Sequence, residues 1–188
     1  MAGIVRADTF RMNTIKSQDS DVTAMTINAS GHVLKPQVPA WMVGISGSYN
    51  HTNGNDVQYN TTAGNGGFDQ GNNWDFTTYE YVVPTTGIYF MYATASVNTG
   101  EETRAANIRI KVNGTSDDAN YIGRGQIDAT LSGGGSYNRV FGSWTRSLTA
   151  GDKVTFNLSW ETDGGSDGFD STESVHTHAT YCTGYLVG

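Results

Sequence analysis

From residue 40 onward the chain alternates apolar and polar side chains with a period of two, and it nowhere shows the longer repeat of an amphipathic helix. In 107–113, Ile108, Ile110 and Val112 share one parity, and Asn107, Arg109, Lys111 and Asn113 the other. In 153–161, Val154, Phe156, Leu158 and Trp160 oppose Lys153, Thr155, Asn157, Ser159 and Glu161. Such alternation builds strands with one face in a core and one in water. Further candidate strands cover 40–46, 56–60, 76–83, 87–97, 121–131, 138–148 and 175–187, and the 107–113 pattern starts at 106. Turn signals punctuate them: Asn53-Gly54, Asn113-Gly114 and Gly151-Asp152. Strands at this spacing predict an all-β sandwich.

One strand breaks the rule. In 87–97, Ile88, Phe90 and Tyr92 fall on one face, while Tyr89, Met91, Ala93, Ala95 and Val97 fall on the other. An antiparallel strand apolar on both faces needs a second cover, and no helix is available here to supply it. The last strand behaves alike, with Tyr181, Tyr185 and Val187 opposing Cys182 and Leu186. We therefore expect a subunit interface on this sheet and assign Tyr89, Met91, Ala93, Ala95, Tyr181 and Tyr185 to it. The competing reading is a locally thick core.

Composition narrows the function classes. Hydrophobic residues are 37% and charged residues 15% of 188, and Gly, Ser, Thr and Asn supply roughly two residues in five. Coiled coils and helical bundles are excluded, and the 11% aromatic content argues against disorder. A single cysteine rules out a disulfide framework. A net charge of −7 speaks against nucleic-acid binding, and no apolar run is long enough for a membrane helix. The start, Met-Ala-Gly-Ile-Val-Arg, holds no apolar signal core, so secretion by that route is not expected.

Residues 1–39 differ from the rest. They carry four basic and three acidic groups, against seven and fifteen in 40–188. The β-like stretches Thr9–Ile15 and Val22–Ile27, then the turn 28–31 ahead of Val33 and Leu34, have too few apolar residues for a core of their own. Phe10, Met12, Ile15, Met25 and Ile27 would be odd in a plain linker, so 1–39 reads as an attachment arm and 40–188 as a globular knob.

Nothing looks catalytic, and no enzyme activity is expected: Gly-x-Ser-x-Gly and phosphate-cradling Gly-Lys-Ser/Thr patterns are both missing. No cofactor is expected either. Candidate cation ligands are Asp163, Asp167 and Asp170, in a flexible acidic run that suits calcium, and His176 and His178, two apart on one strand. The plainer readings are a solvated hairpin loop and an ordinary wet strand face. Cys182 reads as a small core hydrophobe. Asn72-Asn73-Trp74-Asp75 has a make-up for stacking a sugar, although Trp74 packing under a loop is preferred.

Several motifs carry a family resemblance. Val57-Gln-Tyr59-Asn60 and Tyr81-Val-Val-Pro84-Thr-Thr-Gly87-Ile-Tyr89-Phe90 resemble the core signature of complement C1q and tumour necrosis factor-like domains. Ile108–Gly114, Leu148-Thr-Ala-Gly151-Asp152-Lys-Val154 and Tyr181-Cys-Thr-Gly184-Tyr-Leu186 are similar to later strands and turns of that family, and Pro39-Ala40-Trp41 to its opening. The resemblance implies a ten-strand jelly roll in a homotrimer, with the strands matched by 87–97 and 179–187 at the three-fold axis. The Gly-X-Y stalk of some members is missing. The arm instead resembles attachment segments of tailed-bacteriophage structural proteins, which implies a capsid decoration (cement) protein. Such a protein would be assembled in the host cytoplasm onto the capsid exterior, with the major capsid protein as partner. The alternative is a fibre tip that binds host surface glycans.

Overall fold

The computed structural model describes residues 14–16, 23–35, 38–63, 66–98, 103–116, 125–128, 137–162 and 172–187. The chain divides into two compact units, Met1–Val38 and Pro39–Gly188. In the first unit β1 (Thr14–Lys16), β2 (Thr23–Ile27) and β3 (Val33–Leu34) form an antiparallel sheet in that order. The β2–β3 turn is closed by Asn28, whose Oδ1 accepts the Ser30 and His32 N–H groups at 3.0 and 2.9 Å. Gly31 at φ +80 takes the left-handed position. Ile15, Ile27 and Val33 remain exposed within this small sheet. Phe10 and Met12 lie outside the described residues.

The second unit is all-β. Its strands are β4 (Ala40–Gly44), β5 (Tyr49–Thr52), β6 (Phe68–Gln70), β7 (Trp74–Asp75), β8 (Glu80–Val82), β9 (Gly87–Asn98), β10 (Thr103–Val112), β11 (Thr115–Ser116), β12 (Gly125–Asp128), β13 (Tyr137–Leu148), β14 (Lys153–Thr162) and β15 (Thr172–Leu186). One sheet runs β13-β9-β15-β4-β6, with β5 also on β15. The other runs β11-β10-β14-β8-β7, with β12 also on β10. The two-residue strands β7 and β11 close hairpins and take the count past the ten the resemblance implies. The β10–β11 hairpin uses Asn113 and Gly114 at φ +52 and +78, the paired left-handed turn for which Asn-Gly is suited.

The core lies between the sheets. Trp41 of β4 stacks on Tyr81 of β8 with centroids 3.7 Å apart, and Trp144 of β13 meets Phe156 of β14 at 5.6 Å. Tyr59 lies between, its hydroxyl donating to the Thr94 carbonyl at 3.0 Å.

Two expectations fail here. Residues 56–60 are not a strand; 53–57 instead run irregularly beside β14, with Gly54 N–H to Leu158 O at 3.0 Å and Val57 N–H to Phe156 O at 2.8 Å. This segment also covers part of the β14 face expected to be wet. Thr155 and Asn157 are buried, Thr155 Oγ1 donating to Asp56 Oδ2 at 2.9 Å and Asn157 Nδ2 to Asn55 O at 3.0 Å. Polar side chains there face polar partners, and hydropathy reports only their chemistry.

Candidate functional site

Strand β9 does carry apolar residues on both faces, but the sequence expectation chose the wrong one. Tyr89, Met91, Ala93 and Ala95 are all 0% exposed within the single chain, because they face the sandwich core. They cannot meet another subunit unless the two sheets part. Register gives the reason. Ala93 lies between Gly142 of β13 and Cys182 of β15, and Ala95 opposite Val140. Tyr59 reaches β9 between these two alanines, its hydroxyl donating to the Thr94 carbonyl.

The opposite face points outward. Ile88 is 47% exposed, Phe141 of β13 is 56% exposed and Tyr185 of β15 is 48% exposed, with Phe90, Tyr92 and Tyr181 half-buried among them. Their aromatic rings meet in two groups across three strands, by centroid distance. Tyr92 lies 6.3 Å from Phe141 and 5.8 Å from Tyr181, and Phe90 lies 5.5 Å from Tyr185. Tyr181 and Tyr185 therefore stand on the outward face. Ile88, Phe90, Tyr92 and Phe141 were not assigned. Phe141 gave a signal, being the one apolar side chain at its parity between Arg139 and Ser147.

The face changes character toward His176. Between His176 and Tyr181, β15 leaves its regular pairing with β9, and Ala179 sits at φ +59. Thr180 Oγ1 accepts the Ser96 N–H at 2.9 Å inside this bulge. The period-two placement of His176 and His178 on one face assumed a regular strand, and the irregularity falls at this point. His176 Nδ1 lies 3.2 Å from Ser48 Oγ. The side chain of His178, and Asp163, Asp167 and Asp170 altogether, lie outside the described residues. Among the described residues no three His, Cys, Asp or Glu side chains gather as a metal set.

Trp74 is buried and donates Nε1–H to Tyr59 O at 3.0 Å, so its ring is a core element and is not offered to a sugar. Cys182 is buried too, which pushes its thiol well above the ordinary range and suits a packing role.

No family model and no curated protein sequence matches the chain. Solved structures do. Eighty per cent of the chain superposes on 98% of the globular domain of zebrafish complement 1qA, with a TM-score of 0.53 at 15% identity. The same share superposes on 93% of the tumour necrosis factor Eiger from S. frugiperda, with a TM-score of 0.53 at 12% identity. The fold is the C1q/TNF jelly roll. Within this jelly roll the exposed aromatic strip occupies the outer surface of the sheet that contains β9 and β15, and the shared core leaves the strip uncovered within one chain.

Proposed function

We propose that this chain is a non-enzymatic structural protein, a homotrimeric knob that decorates a bacteriophage capsid and is held there by its N-terminal arms. The observation that carries self-association is the outward strip of Ile88, Phe90, Tyr92, Phe141, Tyr181 and Tyr185 on one jelly-roll sheet. Contiguous exposed apolar surface of this kind marks an interaction face, and closed rotational symmetry lets one face cover itself without growing a fibre. Exposed Ile15 and Ile27 in the arm sheet support an attachment role, as does the resemblance of the arm to phage attachment segments. Each arm would bury modest apolar area on the major capsid protein. Joining three arms in one trimer raises the effective concentration of each and makes release slow. The burial of Trp74 removes the one sugar platform that the sequence suggested for the fibre-tip alternative.

The test compares the full chain with a variant lacking residues 1–38, by light scattering and by co-sedimentation with capsids. The expected result is two trimers, of which only the full chain sediments with the shell. Binding retained by the truncated trimer refutes the arm reading, and a monomeric full chain refutes the interface.

A further inference from the structure

Within the jelly roll, β5, which pairs with β15, the segment after it and the turn between β7 and β8 line a polar cleft of about 230 Å³. Its walls include Tyr49, His51, Asn55, Asp56, Gln58 and Tyr79. Apart from the two tyrosine rings, no large apolar side chain lines it, so a hydrocarbon ligand would gain little by entering.

Charge excludes a second class. Asp56 is the one acidic group in the lining, and it is already neutralised: Lys111 Nζ reaches its two oxygens at 3.0 and 3.1 Å, and Thr155 Oγ1 donates at 2.9 Å. His51 is likewise committed. Tyr49 Oη lies 3.3 Å from His51 Nδ1, while His51 Nε2 lies 3.3 Å from Leu158 O. The Gln58 N–H donates to Tyr49 Oη at 2.9 Å. With Tyr49 donating to Nδ1 and Nε2–H donating to Leu158, the ring is neutral and the chain of bonds is complete. One wall is therefore tied by internal hydrogen bonds, with the Asp56 charge balanced by Lys111.

The other wall is built at a conformational cost. Tyr79 sits at φ +60, a left-handed position that bulky residues avoid and that Gly or Asn would take freely. Its ring lines the cleft and stays partly exposed, so core packing does not explain an aromatic there. The Asn55 and Gln58 side-chain amides have no hydrogen-bond partner among the described residues, and each can give and accept a bond at once.

We propose that this cleft binds one neutral sugar ring, its C–H face against Tyr79 and its hydroxyls paired by Asn55 and Gln58. A flat aromatic face, paired amides and zero net charge match a ligand with an apolar face and a rim of hydroxyls. The volume is below the ~300–1,000 Å³ of drug-sized sites, which limits the occupant to a single ring. The proposal goes beyond the decoration reading and stands or falls without the arm or the trimer.

The experiment is saturation-transfer NMR on the full chain, with the methyl glycosides of glucose, galactose, mannose and N-acetylglucosamine as probes of a terminal glycan sugar, and with glycerol and acetate as controls. Transfer from tyrosine ring protons to the C–H protons of at least one glycoside is expected, at millimolar affinity. Tyr79→Gly, which relieves the backbone while removing the ring, should abolish that transfer and keep a cooperative thermal transition. Gln58→Ala should weaken binding about tenfold, as loss of one good hydrogen-bonding side chain does. Transfer to none of the glycosides overturns the proposal, as does transfer that survives Tyr79→Gly unchanged. Glycerol binding as well as the sugars, or acetate displacing them, overturns it as well.

Discussion

Gly184 of β15 pairs with Trp41 on one side and Met91 on the other, with its α-carbon on the core side of the sheet. The Trp41 indole lies across it. A β-carbon built on Gly184 lands on the six-membered ring of Trp41, inside van der Waals contact with three of its carbons. The ring has nowhere to go. It is fully buried, stacks on Tyr81 at 3.7 Å with planes 19° apart, and abuts Tyr89 at 6.4 Å. In Gly184→Ala, forcing a methyl into a packed core costs roughly 1–3 kcal/mol. Displacing the indole also loses much of the Tyr81 stacking, about 0.5–1.5 kcal/mol. The lower backbone entropy of unfolded alanine returns roughly 0.4–1 kcal/mol. At mid-range values the net loss is about 2 kcal/mol, which for a chain of this length lowers Tm by roughly 4–8 °C. Urea and thermal unfolding at one fixed protein concentration measure it, since self-association shifts apparent stability. Gly47→Ala is the control, because nothing lies within 4 Å of its built β-carbon. Adding Trp41→Leu to Gly184→Ala should cost less than the two single changes together, as one change makes room for the other. A Gly184→Ala variant as stable as Gly47→Ala refutes this packing argument.

Three further outcomes follow from the same geometry. Phe141→Asp should turn the proposed trimer into monomers by light scattering while moving monomer stability by no more than ~0.5 kcal/mol, because the side chain is exposed within one chain; a trimer that persists refutes the interface. Burial holds His51 below its ordinary value of 6.5, against an opposing pull from Asp56. Above that value neither state carries the proton; as pH falls below it the unfolded chain binds a proton that the folded chain resists, so stability drops toward the folded value and then levels. His51→Gln should flatten that part of the urea-midpoint profile, and equal slopes in both proteins contradict it. Asp56→Ala strips Lys111, Thr155 and Asn157 of a shared acceptor and should cost about 2 kcal/mol, whereas adding Lys111→Met should cost little more; additive losses in urea unfolding refute the coupling.

How much of this was legible in the sequence depends on what kind of information each feature needs. The strands β10 and β14 were readable because one parity is polar, and the Asn113-Gly114 hairpin because its turn chemistry is local. Strand β9 shows where local reading ends. Both its parities are apolar, so the choice of core face depends on what lies beside it. Gly142, Ala93, Cys182 and Val43 align into one row only once four strands are in register. The next row, Trp144, Met91, Gly184 and Trp41, is filled from one end by the indole over the glycine. Polarity alone therefore cannot choose the face: small Ala93 and Ala95 lie inside together with large Tyr89 and Met91. The polar cleft was illegible for a different reason. Asn53-Gly-Asn-Asp56 reads as a loop, and only its hydrogen bonds to β14 place His51, Asp56 and Gln58 around one space. A site made by backbone pairing of an irregular segment leaves no periodic trace. The outward strip is the intermediate case. Phe141 at a polar parity and the tyrosines of β15 can be seen in the sequence, but only the placement of Tyr89 and Met91 in the core shows which face of β9 stays outward with them.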